Sequence, residues 1–213
     1  LAAQVRRMVA DPRSSALVEN FAGQWLQIRN LEGVAPDPVI FPAFDDSLRT
    51  AMKMETELFF EALIKEDRSV MELIDADFTY LNGRLAKHYS IDGVSGPKFQ
   101  RVSLAKESGR GGILTHASIL TITSNPTRTS PVSRGKWILE QILGTPPPPP
   151  PADVELLSED EQSVQAGSMR QRFEQHRAKP ECATCHEKMD PIGFAFEHYN
   201  AIGAWRDMDG KFP

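Results

Sequence analysis

Apolar residues recur at helical spacing through the first third of the chain. Asp11-Pro12 can open a helix that carries Val18, Phe21, Ala22, Trp25 and Leu26 on one face. A second, longer helix is predicted from Asp45 or Asp46 to about Lys65, with Leu48, Met52, Phe59, Leu63 and Ile64 inward. Its acidic residues Glu55, Glu57 and Glu61 read as a solvated face rather than a metal site. Ser69 caps a predicted short helix through Val70, Leu73 and Ile74. Phe78, Tyr80 and Leu81 suggest a brief extended stretch, and another short helix is expected around Arg84 to His88. Phe21, Trp25, Phe59 and Phe60 give the region up to about residue 90 enough apolar surface for a core of its own.

The middle of the chain is less regular. Lys98 to Leu104 suits a short strand, and the glycines from Gly109 to Gly112 break the pattern. Ile113 to Leu120 is apolar enough for a buried helix, whereas Thr121-Ile122-Thr123 is equally compatible with an extended chain. Ser130-Pro131 is a cleaner signal: an N-cap, then proline in the first turn, then Trp137, Ile138, Gln141 and Ile142, with Gly144 as the stop. Six consecutive prolines, Pro146 to Pro151, should form a polyproline II strap of roughly 19 Å, read as a stiff spacer rather than a ligand for a proline-binding domain. Ser158-Glu159-Asp160-Glu161 fits a capping box that starts a helix to about His176. A last helix should be short, because Pro191 disfavours helical geometry at Asp190. The expected architecture is mostly α, with a helical domain over 1–95 and a second domain over 96–213 that contains the proline segment.

Composition narrows the function classes. A net charge of -5 with scattered Arg and Lys argues against nucleic acid, since phosphate binding wants a basic face. No apolar run approaches the ~20 residues that a membrane-spanning helix needs. The chain starts at Leu1 without a Met or a leader-like apolar run and is read as a piece of a longer protein.

The chemistry concentrates in Cys182-Ala183-Thr184-Cys185-His186, which holds both cysteines of the chain. This is the C-x-x-C-H signature of covalent c-type haem attachment. The spacing of three puts both sulfurs on one side of a helical turn, so that the thiols can add across the two vinyl groups. His186 then follows as proximal ligand to the iron. A zinc knuckle would need a second ligand pair at short spacing, and His176 and His198 are isolated. A thioredoxin-type pair would need a preceding strand, which Arg177-Ala178-Lys179-Pro180 does not supply. Two structural cysteines beside an accidental histidine are the third competing reading.

The sixth ligand separates an electron carrier from a catalyst, and no spacing selects it. Met189 falls on the proximal side; Met169, Met208, His116, His176 and His198 are the other candidates. Arg128, Arg134 and Arg206 read either as partners of haem propionates or, more simply, as structural ties to carbonyls and acids. Asp207-x-Asp209-Gly210 opens like a calcium loop without its closing Glu and is read as a turn.

Several longer motifs carry a family resemblance. They are Gln24-Trp25-Leu26, Arg29-Asn30-Leu31, Phe41-Pro42, Glu66 to Ser69 and Asp75 to Asn82, then Thr123 to Pro131, Arg134-Gly135-Lys136-Trp137 and Gly144-Thr145. Met189 to Phe194 and Ala201 to Arg206 complete the set. With them the chain resembles the large secreted cytochrome-like proteins of planctomycetes and related bacteria, built from planctomycete-specific domains of unknown function. The resemblance covers nearly all residues and departs at His198-Tyr199-Asn200, where Asn-Phe-Asp is more typical. It implies c-type haem and export to the periplasm or cell envelope, with a further domain beyond this piece. Haem c with its iron on His186, electron transfer and a redox partner protein are the expected function. A haem enzyme of peroxidase or oxygenase type with an open distal site, or a scaffold domain of a larger envelope complex, are the alternatives.

Overall fold

The computed structural model describes residues 1–148 and 180–209, and for 180–185 it describes the backbone alone. The described chain is mostly helical, with one small sheet. It divides into two compact units, residues 1–128 with 200–204, and residues 129–199 with 205–213.

The first unit opens with Leu1 and α1 (Ala2–Ala10), and Leu1, Val5 and Met8 are all exposed. Asp11 then accepts a hydrogen bond from the Arg13 N–H at 2.9 Å, Pro12 occupies the first position, and the helical run α2 follows over residues 12–25. A wide π turn at Val18–Ala22 lies inside α2. It spaces residues more widely than an α turn and rotates the apolar stripe, so Val18, Ala22 and Leu26 are buried while Phe21 is 53% exposed. Phe21 therefore leaves the expected inward face, although its ring still meets Trp25 at 5.6 Å.

The long helix α3 spans Asp46–Lys65, capped by the Asp45 carboxylate on the Leu48 N–H at 2.7 Å. Leu48, Met52, Phe59 and Leu63 face the core as expected, and Ile64 is half-buried. Glu55 is the correction: it is fully buried, and Glu57 and Glu61 are half-buried. Residues 48, 52, 55, 59 and 63 form one helical stripe, and Glu55 lies in the middle of it.

Helix α4 (Glu72–Asp75) is shorter than expected because Ser69 spends its hydroxyl on a turn, accepting from the Met71 N–H at 3.2 Å, and Val70 is exposed. Strand β1 (Phe78–Leu81), helix α5 (Gly83–Tyr89, capped by Asn82) and strand β2 (Gln100–Ser103) follow. The strands pair antiparallel with Phe78 opposite Ser103. A 3-10 turn at Ile113–Thr115 then leads into α6 (Ala117–Ile122), which settles Thr121 and Ile122 as helical and buries Thr121. Leu31, Leu48, Met52, Leu81 and Leu85 form the core, joined by Ala201 and Ile202.

In the second unit, Ser130 accepts from the Ser133 N–H at 3.2 Å and Pro131 begins α7 (Pro131–Trp137). A π turn at Ile138–Ile142 extends it to the left-handed Gly144, the expected stop. Helix α8 spans Pro180–Phe194 and runs straight through Pro191, against the expectation of an early end. A helix-interior proline costs about 3 kcal/mol, but α8 is packed on α7 on both sides of that residue, at Met189 and at Gly193. Tertiary packing therefore holds the helix where local preference would end it. The expected 158–176 helix and the second half of the proline run lie outside the described residues. Among the described residues, no helix is long and apolar enough to cross a membrane.

Candidate functional site

Helix α8 carries residues 182, 185 and 186 in its first half. Pro180 stands at its first position, where a missing N–H costs nothing. The side chains of Cys182 and Cys185 lie in the stretch described by its backbone; that of His186 is described and is 14% exposed. On a helix, residues 186, 189, 190 and 193 share one face, and Met189, Asp190 and Gly193 are buried.

What buries that face is a close crossing with α7. A Cβ at Gly135 would lie 2.0 Å from the Met189 carbonyl oxygen, and one at Gly193 would lie 1.8 Å from the Pro131 carbonyl oxygen. Each helix thus presents a glycine to the other's backbone. Only hydrogen fits at either point.

The crossing also sets the environment of His186. Its Nδ1 is 2.9 Å from Oδ1 of Asp190, one turn later on the same helix, and the Asp190 side chain is completely buried. A carboxylate only accepts, so Nδ1 carries the hydrogen and donates it. Nε2 is then the lone-pair nitrogen, the one through which an imidazole binds a metal. This donor set fits a haem iron: an oriented imidazole directly behind two cysteine positions one helical turn apart.

Two of the arginines named from the sequence are committed to structure. Buried Arg134 donates to the carbonyl oxygens of Phe196 at 2.6 Å and Tyr199 at 2.9 Å and pairs with Glu197 at 3.1 Å. Loss of hydration lowers its pKa to about 10, and it stays charged at neutral pH. Arg206 pairs with Glu197 at 3.0 Å and Asp209 at 2.6 Å. Burial raises the Glu197 pKa, with the Arg134 charge opposing. The two arginines pin the turn that follows α8, which is the structural reading of them. Arg128 lies in a turn in which its carbonyl accepts from the Asn125 N–H at 2.9 Å. Among the distal-ligand candidates, Met189 is buried and His198 stacks on Trp205 with 4.9 Å between ring centres. Met169 and His176 lie outside the described residues.

The first unit holds a buried polar cluster that the sequence reading missed. Tyr89 donates to Glu55 Oε2 at 2.5 Å and accepts the Ala117 N–H at 2.8 Å; Thr79 donates to Glu55 Oε1 at 2.7 Å. The Arg110 guanidinium lies 3.5 Å from the centre of the Tyr89 ring. His116, the remaining buried distal-ligand candidate, belongs here: its Nδ1 is 3.0 Å from the Thr56 hydroxyl and its Nε2 3.4 Å from that of Thr79. His116 Nε2 is also 3.9 Å from Glu55, but desolvation lowers its pKa to about 3, so the pair is not ionic at neutral pH. Burial raises Glu55 to about 7, against the hydrogen bonds from Tyr89 and Thr79. The position of Glu55 in an otherwise apolar helical stripe was the available signal.

Tyr89→Phe isolates the hydroxyl, because the ring beneath Arg110 remains. It leaves Glu55 and the Ala117 N–H each short of a buried partner. At about 1–3 kcal/mol per unsatisfied group, the first unit should lose roughly 2 kcal/mol or more. A urea midpoint within error of wild type would show that the hydroxyl contributes nothing.

Two family models match the chain. Residues 1–91 match PSD4, a protein of unknown function (DUF1592), and residues 110–209 match PSCyt3, a protein of unknown function (DUF1588). Both are domains of unknown function typical of planctomycete-type cytochrome-like proteins. The searches of curated proteins and of solved structures each return no match.

Proposed function

We propose that this chain binds haem c covalently through Cys182 and Cys185, with His186 as the proximal ligand, and serves electron transfer. The observation that carries the reading is the His186 ring, held by Asp190 with Nε2 as the lone-pair nitrogen, directly behind the two cysteines of a C-x-x-C-H helix. Attachment adds each thiol across a vinyl group: a carbon–sulfur bond forms, the thiol hydrogen goes to the neighbouring vinyl carbon, and nothing leaves. When bound, the haem supplies a one-electron couple.

The chain's own residues would do three things. Cys182 and Cys185 tether the group, His186 holds the iron, and the α7–α8 crossing keeps that helix rigid. Thioether formation outside the inner membrane favours an exported protein in the periplasm or cell envelope, with a redox partner protein and further domains of the same polypeptide. The name of the family model that matches residues 110–209, PSCyt3, hints at a cytochrome c-like domain and supports the haem reading.

The test is chemical. Expressed with a cytochrome c maturation system, the protein should keep its haem through acid–acetone extraction, and replacing both cysteines by Ala should release it. Release from the wild-type chain overturns the reading. Carbon monoxide binding by the reduced protein would move the function to the alternative, a haem enzyme with an open distal site; an unreactive low-spin spectrum supports the carrier.

A further inference from the structure

We infer that Asp190 is a positioning residue for His186, one that lowers the reduction potential of the group His186 holds; this rests on the haem reading above. The Nδ1–Oδ1 distance is 2.9 Å, and the acceptor is a fully buried carboxylate. Charge-assisted hydrogen bonds of this kind are about twice as strong as neutral ones, and low local dielectric strengthens them further. A carboxylate drawing on the Nδ1 proton leaves more electron density on Nε2, which makes the imidazole a more basic ligand. A more basic ligand with a negative charge behind it favours ferric over ferrous iron, because the ferric state carries the extra positive charge.

The geometry is also built to persist. His186 and Asp190 are four residues apart on one helix, so the backbone itself sets their separation. Backbone contacts at Met189 and Gly193, on either side of Asp190, clamp that turn against α7. Continuation of α8 through Pro191 is part of the device: a helix ending at residue 189 would not bring Asp190 under the ring.

The experiment uses the whole chain with covalent haem, and compares wild type with D190N and D190E by spectroelectrochemistry. D190N replaces the acceptor charge and should shift the ferric/ferrous equilibrium toward ferrous by tenfold or more, about 59 mV for a one-electron couple. D190E restores a carboxylate that can reach the ring and should return most of that shift. A D190N protein that is folded and haem-loaded at the wild-type potential overturns the inference and leaves the haem reading standing. If D190N does not fold, the wild-type His186 Nδ1 proton decides, observed by NMR in the reduced low-spin form. A slowly exchanging downfield resonance close to Asp190 supports the role, and rapid exchange with water overturns it. Failure of the wild-type chain to hold haem covalently overturns the haem reading and the inference together.

Discussion

Gly193→Ala should destabilise the second unit by about 3 kcal/mol or more, the upper end of what overpacking costs. Helix propensity alone predicts the opposite sign, since Ala is favoured over Gly by about 1 kcal/mol in a helix interior. The steric term wins because the new methyl group would lie 1.8 Å from the Pro131 carbonyl oxygen, a backbone atom that no side-chain rotation can move. Gly135→Ala meets the Met189 carbonyl oxygen at 2.0 Å and should behave alike. Either change must push α7 and α8 apart, lengthening the contacts of Arg134 with Phe196 and Tyr199. Hydrogen exchange locates the effect: amides in 131–142 and 186–194 should lose protection, while those of α3 keep theirs. Unchanged protection across both helices would mean that the crossing has room for a side chain.

A second large effect is the pH dependence of the first unit, where buried Glu55 and His116 and half-buried His88 pull in two directions. His116 and His88 are lowered to about 3 and about 4, both chiefly by desolvation; the His88 bond to the Ile202 carbonyl, at 2.7 Å, opposes this. Their folded pKa values lie below the unfolded value near 6.5, so the unfolded chain binds more protons in acid. Their contribution is complete above pH 6.5 and is lost as pH falls through about 4 for His88 and about 3 for His116. Each histidine costs about 1.4 kcal/mol per pH unit inside its window. Glu55 works the other way, because its folded value of about 7 lies above its unfolded one. Its contribution is complete below about pH 4.5 and is lost as pH rises through about 7.

These three groups together therefore favour a maximum near pH 6.5, with stability falling on the acid side. Comparison with Glu55→Gln isolates the contribution of that carboxyl from every other titrating group. The variant-minus-wild-type difference should be constant below about pH 4.5, then rise by about 3 kcal/mol in favour of Gln by pH 7. His88→Gln should flatten the acid limb between about 6.5 and 4. Urea midpoints over a pH series read both, and a Glu55→Gln difference that does not change with pH would sink the account of Glu55.

Much of the fold was legible because its signals are local. Asp45 ahead of α3, Asp11-Pro12 ahead of α2 and Ser130-Pro131 ahead of α7 satisfy the first backbone donors from within a few residues, so each helix start follows from the chain alone. The extended Phe78–Leu81 and the stop at Gly144 are local in the same sense. The C-x-x-C-H order is a covalent fact of the sequence, and so is the place of His186 directly after Cys185.

What failed depended on distant partners. Glu55 reads as a surface acid until Tyr89 and Thr79, far along the chain, supply donors that let a carboxyl be buried. Arg134 and Arg206 allow two readings from the sequence, and the turn after α8 decides for the structural one by supplying Glu197 and the carbonyl acceptors. The local preference of Pro191 is to end the helix, but the packing of α8 on α7 outweighs it, and with that helix goes the meeting of His186 with Asp190. By itself the sequence determined the helices with strong caps and the order of the C-x-x-C-H residues, because both are set within a turn or two of chain. Only the tertiary structure decided which charges are buried, which helix survives its proline and what stands behind the histidine, because each depends on contacts made across the fold.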